Sequence, residues 1–443
     1  MSTVLVLGAG FSRAVSTALP VTDELGRLVM KHLHDTGQDV RTPRPYLGRR
    51  FEAWLSRLAE PQPDLDEADN LRNRELFVRV TNAVRDVVEA AQLEAIGNRP
   101  PWWLQRLVGC VHHTRSTVIT FNYDTLFELA VEYAWLADDD GHGVHVGDVL
   151  RHMPMVAERP NTGVVYGSPR ANSMRLIKLH GSIDTYWVTE DATGATIRRW
   201  EQAGMWTKPE APDHERRQQL LPGRAPFIVP PASGKSGFYQ NPLTRQLWRD
   251  AAQALATADE VVFAGYSLPA TDLVSSGMFG EHLAASNASV VVVNPDPEPP
   301  LATLRELGVD EPRICVIEGC AEYVDLLERR LKPGLLRDDG IDQLPVAISM
   351  RNRPMFDVTD VALGVDPTEV VLHARKRNQT QLYSPRSFTV GDIRRKAPAL
   401  SRIRVRFETG EEAHVHSSRT GNADGGAGAA HLLLEPTAFP RDL

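Results

Sequence analysis

Three short polar segments in this chain each follow an apolar run that is typical of a buried strand. The first, Gly8-Ala9-Gly10-Phe11-Ser12, follows the apolar run 4–7. The second is Asn122-Tyr123-Asp124, and the third is His180-Gly181-Ser182. Carboxyl ends of parallel strands meet at one edge of a sheet, where open α/β folds bind ligands. We therefore expect these segments to lie together.

The glycine segment offers two interpretations. A pair such as Gly8 and Gly10 at a strand-to-helix turn lets a diphosphate approach the backbone, where free N–H groups can meet its charge. The third glycine of the dinucleotide pattern is absent, because Arg13 stands at its place. The segment is either a nucleotide loop or a plain tight turn. Ser12 is either an additional phosphate donor or a helix cap.

The other two segments also have structural alternatives. Asp124 either contacts a ligand or caps the helix predicted from Leu126 to Tyr133. His180 is either a structural histidine or a general base, the role that imidazole suits best near neutral pH. The presence of Asn122 and Asp124 at one strand end and His180 at another favours the catalytic alternative.

Several other chemistries are excluded by local sequence. Gly234-Lys235-Ser236 resembles the end of a P-loop, but Pro230-Pro231 removes two backbone donors that such a loop needs. In Gly265-Tyr266-Ser267-Leu268-Pro269, a proline replaces the second glycine of a nucleophile elbow. The histidines show no metal-ligand spacing, and three scattered cysteines are too few for a four-thiolate zinc site. We expect no metal.

The elements that position these residues alternate between strand and helix. Continuously apolar, β-branched strands of this kind predict a Rossmann-like, doubly wound parallel sheet, with a helical insert at about 46–113. A β-rich C-terminal region follows, in which Ile403 to His416 has the pattern of a hairpin around Thr409-Gly410. Gly421 to Ala430 is low in complexity and predicts a mobile loop. The strands are expected at 116–121, 174–179, 226–229, 260–264, 288–293, 344–350, 369–373 and 403–407.

These patterns predict two domains, at 1–335 and 336–443. The chain has 443 residues and a formal net charge of −8, which offers no global attraction to nucleic acid or to an anionic membrane. No apolar run reaches the roughly 18 residues of a spanning helix, and no signal peptide is visible at the start. We expect a cytoplasmic protein without nucleic-acid or membrane partners.

In order along the chain, six segments resemble the sirtuin-like superfamily, specifically its bacterial branch of NAD-consuming antiphage effectors. The resemblance covers about residues 3–330. The segments are Gly8-Ala9-Gly10-Phe11-Ser12, Thr120-Phe121-Asn122-Tyr123-Asp124, Lys178-Leu179-His180-Gly181-Ser182, Ile228-Val229-Pro230-Pro231, Gly265-Tyr266-Ser267-Leu268-Pro269-Ala270-Thr271-Asp272 and Val292-Val293-Asn294-Pro295.

The resemblance implies a role for each position. Asn122 is similar to the residue that holds the nicotinamide ribose and orients water, Asp124 would meet the carboxamide, and His180 would be the base. These types suit cleavage of a glycosidic bond through an oxocarbenium-like state. The pyrophosphate loop would comprise Gly8, Ala9, Gly10 and Ser12, and the adenosine side would comprise Gly265, Ser267 and Asn294.

Departures from the family pattern bear on the substrate. Deacylases of this family carry a zinc module with four cysteines, and no cysteine pair here has that spacing. The resemblance therefore implies an NAD hydrolase that uses water, an abortive-infection effector controlled by a partner protein, a ligand or homo-oligomerisation. The alternatives are an NAD-dependent protein deacylase and a catalytically silent nucleotide-binding subunit. The C-terminal domain is expected to sense or assemble, or else to cap the sheet.

Overall fold

The structure is a computed structural model of the chain. It describes residues 2–38, 40, 51–134, 136, 144–157, 171–189, 191–200, 204–229, 236–269, 272–331, 346–350, 353–363, 369–376, 402–408, 410, 412–421 and 429–434.

A six-stranded, all-parallel sheet forms the centre of the fold. Its strand order is β12-β11-β10-β1-β2-β4, which is the doubly wound order 3-2-1-4-5-6 read from the other edge. The predicted α/β class is confirmed, and β12 is a strand that the sequence patterns did not reveal. The strands are β1 (Thr3–Leu7), β2 (Thr117–Thr120), β4 (Arg175–Lys178), β10 (Glu260–Ala264), β11 (Ser289–Val293) and β12 (Ile314–Ile317).

Helices cover both faces of the sheet, and successive side chains of each strand point to opposite faces. Leu5 and Leu7 of β1 belong to one apolar cluster, whereas Val4 and Val6 belong to the other. The first cluster includes residues of α1 (Ala9–Val15), α5 (Trp102–Thr114), α6 (Leu126–Ala134), α7 (Val146–Val149) and α13 (Cys320–Leu331). The second includes residues of α10 (Pro242–Ala256), α11 (Leu273–Ala285) and α12 (Glu298–Glu306).

The helical insert is present. It contains α3 (Phe51–Ala59), α4 (Glu67–Gly97) and α5, while residues 46–50 lie outside the described part. Asp66 begins α4 by accepting a hydrogen bond from the backbone N–H of Asp69 at 2.7 Å, as N-caps do. Helices α2 (Thr22–Asp35), α3 and α4 share an apolar cluster with Ile183 and Ile228 of a second sheet.

This second sheet corrects one expectation. The strand expected at 226–229 exists as β9 (Ala225–Ile228), but it pairs antiparallel with β5 (Gly181–Trp187) outside the parallel sheet. Strand β5 begins directly after His180, where the sequence interpretation had no strand. The sheet order is β3-β6-β5-β9, with β3 (Met155–Val156) and β6 (Arg198–Arg199). Small elements complete this region: β7 (Gly204–Met205), β8 (Lys208–Pro209), α8 (His214–Leu220) and α9 (Ser236–Tyr239).

The β-rich C-terminal region is confirmed as a closed six-stranded barrel, β13 to β18. The predicted hairpin is an antiparallel pair in which Arg404 lies opposite His414. Strands β14 and β18 were not expected. The low-complexity segment lies mostly outside the described residues, and its two ends belong to strands. The strands are β13 (Val346–Met350), β14 (Arg353–Leu363), β15 (Glu369–Lys376), β16 (Arg402–Phe407), β17 (Glu412–Gly421) and β18 (Ala429–Leu434).

Among the helices that the structure describes, none is both long enough and apolar enough to cross a membrane.

Candidate functional site

A cavity of about 460 Å³ lies at the carboxyl ends of β1, β2, β4, β10 and β11. Strand order reverses between β1 and β10, and ligands of doubly wound sheets bind at such a switch point. The ten residues proposed from sequence all line this cavity: Gly8, Ala9, Gly10, Ser12, Asn122, Asp124, His180, Gly265, Ser267 and Asn294. Their convergence is a finding, whereas their individual roles remain predictions.

The glycines bring two loops of the cavity into direct contact. The N–H of Gly10 donates to the carbonyl of Gly265 at 2.9 Å. A Cβ on Gly10 would lie 2.8 Å from that oxygen, and one on Gly8 would lie 2.6 Å from Cα of Tyr266. Gly265 itself has φ +60, and its Cβ would lie 2.0 Å from the nitrogen of Phe11. Close packing of the loops therefore requires these glycines, with or without a ligand.

The side-chain amide of Asn122 has a defined orientation. Its Nδ2 donates to the carbonyl of Gly8 at 2.8 Å and to Oγ of Ser12 at 2.9 Å. Because the carbonyl of Gly8 can only accept a hydrogen bond, the amide nitrogen of Asn122, and not its oxygen, must face it. Both amide hydrogens are thereby used. No described residue donates to Oδ1, which leaves this acceptor for a ligand or a water molecule.

Ser12 and Asp124 form a buried pair behind Asn122. Oγ of Ser12 donates to Oδ2 of Asp124 at 2.6 Å, and Oδ1 of Asp124 accepts from the N–H of Leu126 at 3.1 Å. Asp124 therefore caps the start of α6, one of the two alternatives. Ser12 lies inside α1 and is not a helix cap, because its hydroxyl bonds across to the next loop instead.

A buried ion pair supports the loop after β2. Nζ of Lys178 donates to the carbonyl of Asp124 and to Oε1 of Glu128, both at 2.7 Å. Burial raises the pKa of Glu128, and the charge of Lys178 opposes that rise. The loop is further held by Tyr123, whose hydroxyl donates to the carbonyl of Val229 at 2.7 Å. The loop that carries Asn122 and Asp124 is thus held by hydrogen bonds to two other segments.

His180 lies in a largely aromatic wall. Its ring packs edge-on against Phe121, with centroids 4.8 Å apart. Its Nε2 lies 3.3 Å from Oδ2 of Asp272, and both side chains are more than nine-tenths buried. Phe121 also stacks on Tyr266. The ring of His180 is therefore confined on two sides.

The opposite wall and the far end of the cavity come from other elements. An apolar side of the cavity comes from the residues around the start of α2 and from α4: Leu19, Pro20, Val21, Leu25 and Val88. At the far end, Oδ1 of Asn294 accepts from the N–H of Asp296 at 3.1 Å, and the N–H of Asn294 donates to the carbonyl of Ile317 at 3.0 Å. Asn294 thereby shapes the loop after β11.

The charge of the cavity is acidic among the described residues. Its lining includes Asp124, Asp272 and Asp296, with neither Lys nor Arg. Within the described part of the chain, no three His, Cys, Asp or Glu side chains cluster as metal ligands do.

Sequence reasoning gave no role to several lining residues. Asp272 and Tyr266 both belong to the segment 265–272 of the family resemblance. The signal for Asp272 is that an acidic residue just before an apolar helix is typical of an N-cap. The wall from α2 had no comparable signal, because its contact with the cavity depends on how the insert packs.

Comparison with known proteins identifies the fold's relatives. Residues 116–307 match the family model of the SIR2-like domain. The match includes Asn122, His180 and Asn294, and it begins after the glycine loop. A search of the curated proteins finds no match.

Solved structures of sirtuins are similar to the chain at low identity. A structure described as the basis for the mechanism and regulation of Sir2 enzymes is 14% identical, with a TM-score of 0.32, covering 73% of this chain and 89% of that one. Sir2 with the inhibitor EX-527, 2'-O-acetyl-ADP-ribose and a deacetylated p53 peptide is 13% identical, with a TM-score of 0.32, covering 74% and 92%.

Proposed function

From the sirtuin-like domain and its cavity, we propose that this protein is an NAD hydrolase, which cleaves the nicotinamide glycosidic bond with water. The observation that carries the proposal is the orientation of Asn122. Its amide hydrogens are both bonded within the protein, and its Oδ1 remains for water or a ribose hydroxyl, in the cavity that also contains His180.

In this reaction, the bond between the nicotinamide nitrogen and the ribose carbon breaks, and its electron pair leaves with nicotinamide. The ribose passes through an oxocarbenium-like state, to which an acceptor such as Oδ1 of Asn122 can hold water in position. His180 takes the proton that water loses as the new carbon–oxygen bond forms. The products are nicotinamide, ADP-ribose and one proton.

Asp124 is assigned a supporting role in this proposal. Both of its carboxylate oxygens already accept hydrogen bonds, from Ser12 and from the backbone of Leu126. We therefore propose that it orients Ser12 and, through Ser12, the amide of Asn122. Each carboxylate oxygen has a second lone pair, so the carboxamide contact that the resemblance implies would be made in addition to these bonds.

The remaining contacts to NAD follow from position in the cavity. Gly8, Ala9, Gly10 and Ser12 would lie along the pyrophosphate, and Gly265, Ser267 and Asn294 along the adenosine. Gly10 already uses its N–H in the contact with Gly265. Ala9 and the hydroxyl of Ser267 are then the better candidates for polar contacts to the phosphates and the ribose.

The experiment measures nicotinamide release from NAD by the purified full-length chain, without an acyl-lysine peptide. Asn122→Ala and His180→Ala should each lower turnover by about 10²- to 10⁴-fold. Asn287→Ala and His34→Ala, at exposed positions outside the cavity, are the matched controls. Release that requires a peptide would instead identify a deacylase. NAD binding without release would identify a silent subunit.

A role in antiphage defence belongs to the same proposal, and its support is the resemblance to immune effectors. An NAD hydrolase that is always active would exhaust the NAD of its own cell. We propose that a partner protein, a ligand or homo-oligomerisation restrains it. Activity of the isolated chain measured over a range of protein concentrations tests this, and full activity at the lowest concentration with nothing added would contradict it.

A further inference from the structure

Asp272 is a buried carboxylate at the wall of the cavity, and sequence reasoning gave it no role. It directly precedes α11 and is 5% exposed. Its Oδ2 lies 3.3 Å from Nε2 of His180, which is 7% exposed. The two side chains come from positions 92 residues apart, so only the folded sheet brings them together.

Helix capping accounts for part of this geometry. Oδ1 of Asp272 accepts from the N–H of Ser275 at 3.4 Å, and Oδ2 accepts from the hydroxyl of Ser275 at 2.7 Å. Asparagine is as good an N-cap as aspartate, but its amide could accept only one of these two bonds, because its nitrogen donates. The cap does not account for the approach of Oδ2 to the imidazole of His180.

The contact pairs a buried carboxylate with a side chain that can become a cation. Burying a carboxylate is costly unless it is paired or hydrogen-bonded. The imidazole of His180 lies beside Asp272 and can take up a proton, as a general base does in every catalytic cycle.

We propose that Asp272 is the positioning residue of His180: it fixes the orientation of the imidazole and stabilises the imidazolium that forms when His180 takes a proton from water. This inference rests on the proposed NAD hydrolysis. Phe121 holds the ring by its edge, and Asp272 fixes its rotation about that contact.

Several ionisable groups set the charge around His180. Asp272 approaches from α11, and Asp124, on the loop after β2, lines the same cavity. Tyr239, on α9, packs against Trp248, which lies 6.5 Å from His180 between ring centroids. Burial raises the pKa of Tyr239, and the charge of Asp272 raises it further. Tyr239 is therefore neutral near pH 7.

The first test does not require NAD hydrolysis. The titration of His180 is followed by NMR of the histidine ring protons in the full chain, with the His180→Gln spectrum providing the assignment. In Asp272→Asn the titration midpoint should move to lower pH by about 1 unit or more, because an opposite charge that favoured the cation is gone. An unchanged midpoint in a folded variant overturns the proposal.

The second test uses the reaction. Asp272→Asn should lower kcat by about 10-fold or more, as loss of an orienting carboxylate does in other His-dependent enzymes. The acidic limb of the pH profile should move to lower pH, because His180 loses its proton more readily. Asp272→Glu, which keeps the charge, should recover part of the rate. A lower rate in Asp272→Asn with an unshifted pH profile indicates a structural role and overturns the proposal.

Asp213→Asn is the matched control. Asp213 also begins a helix, with its side chain accepting from the N–H of Arg216 at 2.9 Å, but it is exposed and lies outside the cavity. The Asp213→Asn variant should leave the titration of His180 and the pH profile of the reaction unchanged. If the wild-type chain releases no nicotinamide at all, the proposed function fails, while the NMR titration still decides whether Asp272 and His180 interact.

Discussion

The ring of Tyr266 stacks on the ring of Phe121, with centroids 4.6 Å apart and planes inclined by 8°. This contact joins the loop after β10 to the end of β2. Phe121 in turn meets the edge of His180, so the stack fixes the wall against which the proposed base rests. The packing of Tyr266 on Phe121 therefore helps to determine where the imidazole of His180 lies.

Tyr266→Ala should destabilise the fold and weaken NAD turnover. Loss of a buried aromatic ring typically costs about 3 to 5 kcal/mol of unfolding free energy, and Tyr266 is buried. Tyr266→Phe keeps the stacked ring and should cost far less. Denaturant unfolding of both variants measures the difference. Equal stability of the alanine and phenylalanine variants would show that the stack contributes little.

Asn122→Asp should be more disruptive than its size suggests. The substitution places a carboxylate oxygen against the carbonyl of Gly8, where Nδ2 now donates at 2.8 Å. Leaving a buried polar group unpaired costs about 1 to 3 kcal/mol. Both stability and NAD hydrolysis should therefore fall. Wild-type stability for Asn122→Asp would mean that the amide orientation described here is wrong.

Gly10→Ala should damage folding before it affects binding. The new Cβ would lie 2.8 Å and 2.9 Å from backbone atoms of Gly265, which cannot move aside as a flexible side chain could. Gly277→Ala is the matched control, because Gly277 lies in α11 with no atom near its would-be Cβ. It should be neutral or stabilising by about 1 kcal/mol. Thermal unfolding compares the two, and similar midpoints would contradict the close-contact argument.

Acidification should weaken the small sheet through Asp184. Nε of Arg199 donates to Oδ2 of Asp184 at 2.6 Å, joining β5 to β6. Burial alone would raise the pKa of Asp184, but the charges of Arg199 and Lys178, with hydrogen bonds from Arg199 and Ser182, outweigh it and hold the pKa below its ordinary value. The unfolded chain therefore takes up this proton at a higher pH than the folded chain does.

The stability that Asp184 contributes is thus present above the ordinary aspartate pKa, and it is lost as pH falls through the lower pKa of the folded state. Asp184→Asn should be less stable than wild type at pH 7, and the difference in unfolding free energy should shrink towards pH 3. Denaturant unfolding at several pH values measures it. A difference that does not change with pH would exclude ionisation of Asp184 as its source.

Removal of the barrel tests the predicted domain division. Strand β17 lies against α5 of the sheet domain, which supports a capping role. A chain ending at residue 335 should bind NAD with altered activation or assembly if residues 336–443 are a sensing domain. Aggregation, or loss of NAD binding in calorimetry, would identify the barrel as a structural cap instead.

Five of the six strands of the parallel sheet could be predicted because they are locally recognisable, whereas β12 was not. The β-branched runs of β10 and β11 have no competing helical pattern, and a glycine or polar residue marks each end. Strand β5 was not predicted, for two reasons. It begins at Gly181, whose φ of +75 makes a sharp turn, and its polar residues belong to a small sheet in which β5 pairs with β9. Its partner β9 was predicted as a strand, but a short apolar run does not indicate whether a strand pairs parallel or antiparallel.

The site could be predicted as a set of residues but not as a network. Strand ends locate Asn122 and His180, whereas the bonds of Asn122 to Gly8 and Ser12 span 114 and 110 residues. Asp272 illustrates the same limit. Its local signal is a helix cap, and its contact with His180 arises only from strand order.

The strand order also dictates when the cavity can first exist. β1 lies between β2 and β10, and Thr3 is in register with Glu260. During synthesis, one side of this central strand stays unpaired until more than half of the chain has emerged, and Asn294 comes later still. Such non-local pairing delays assembly. A ribosome-bound fragment that stops before β10 therefore has no complete cavity, and under the proposed function it could not hydrolyse NAD.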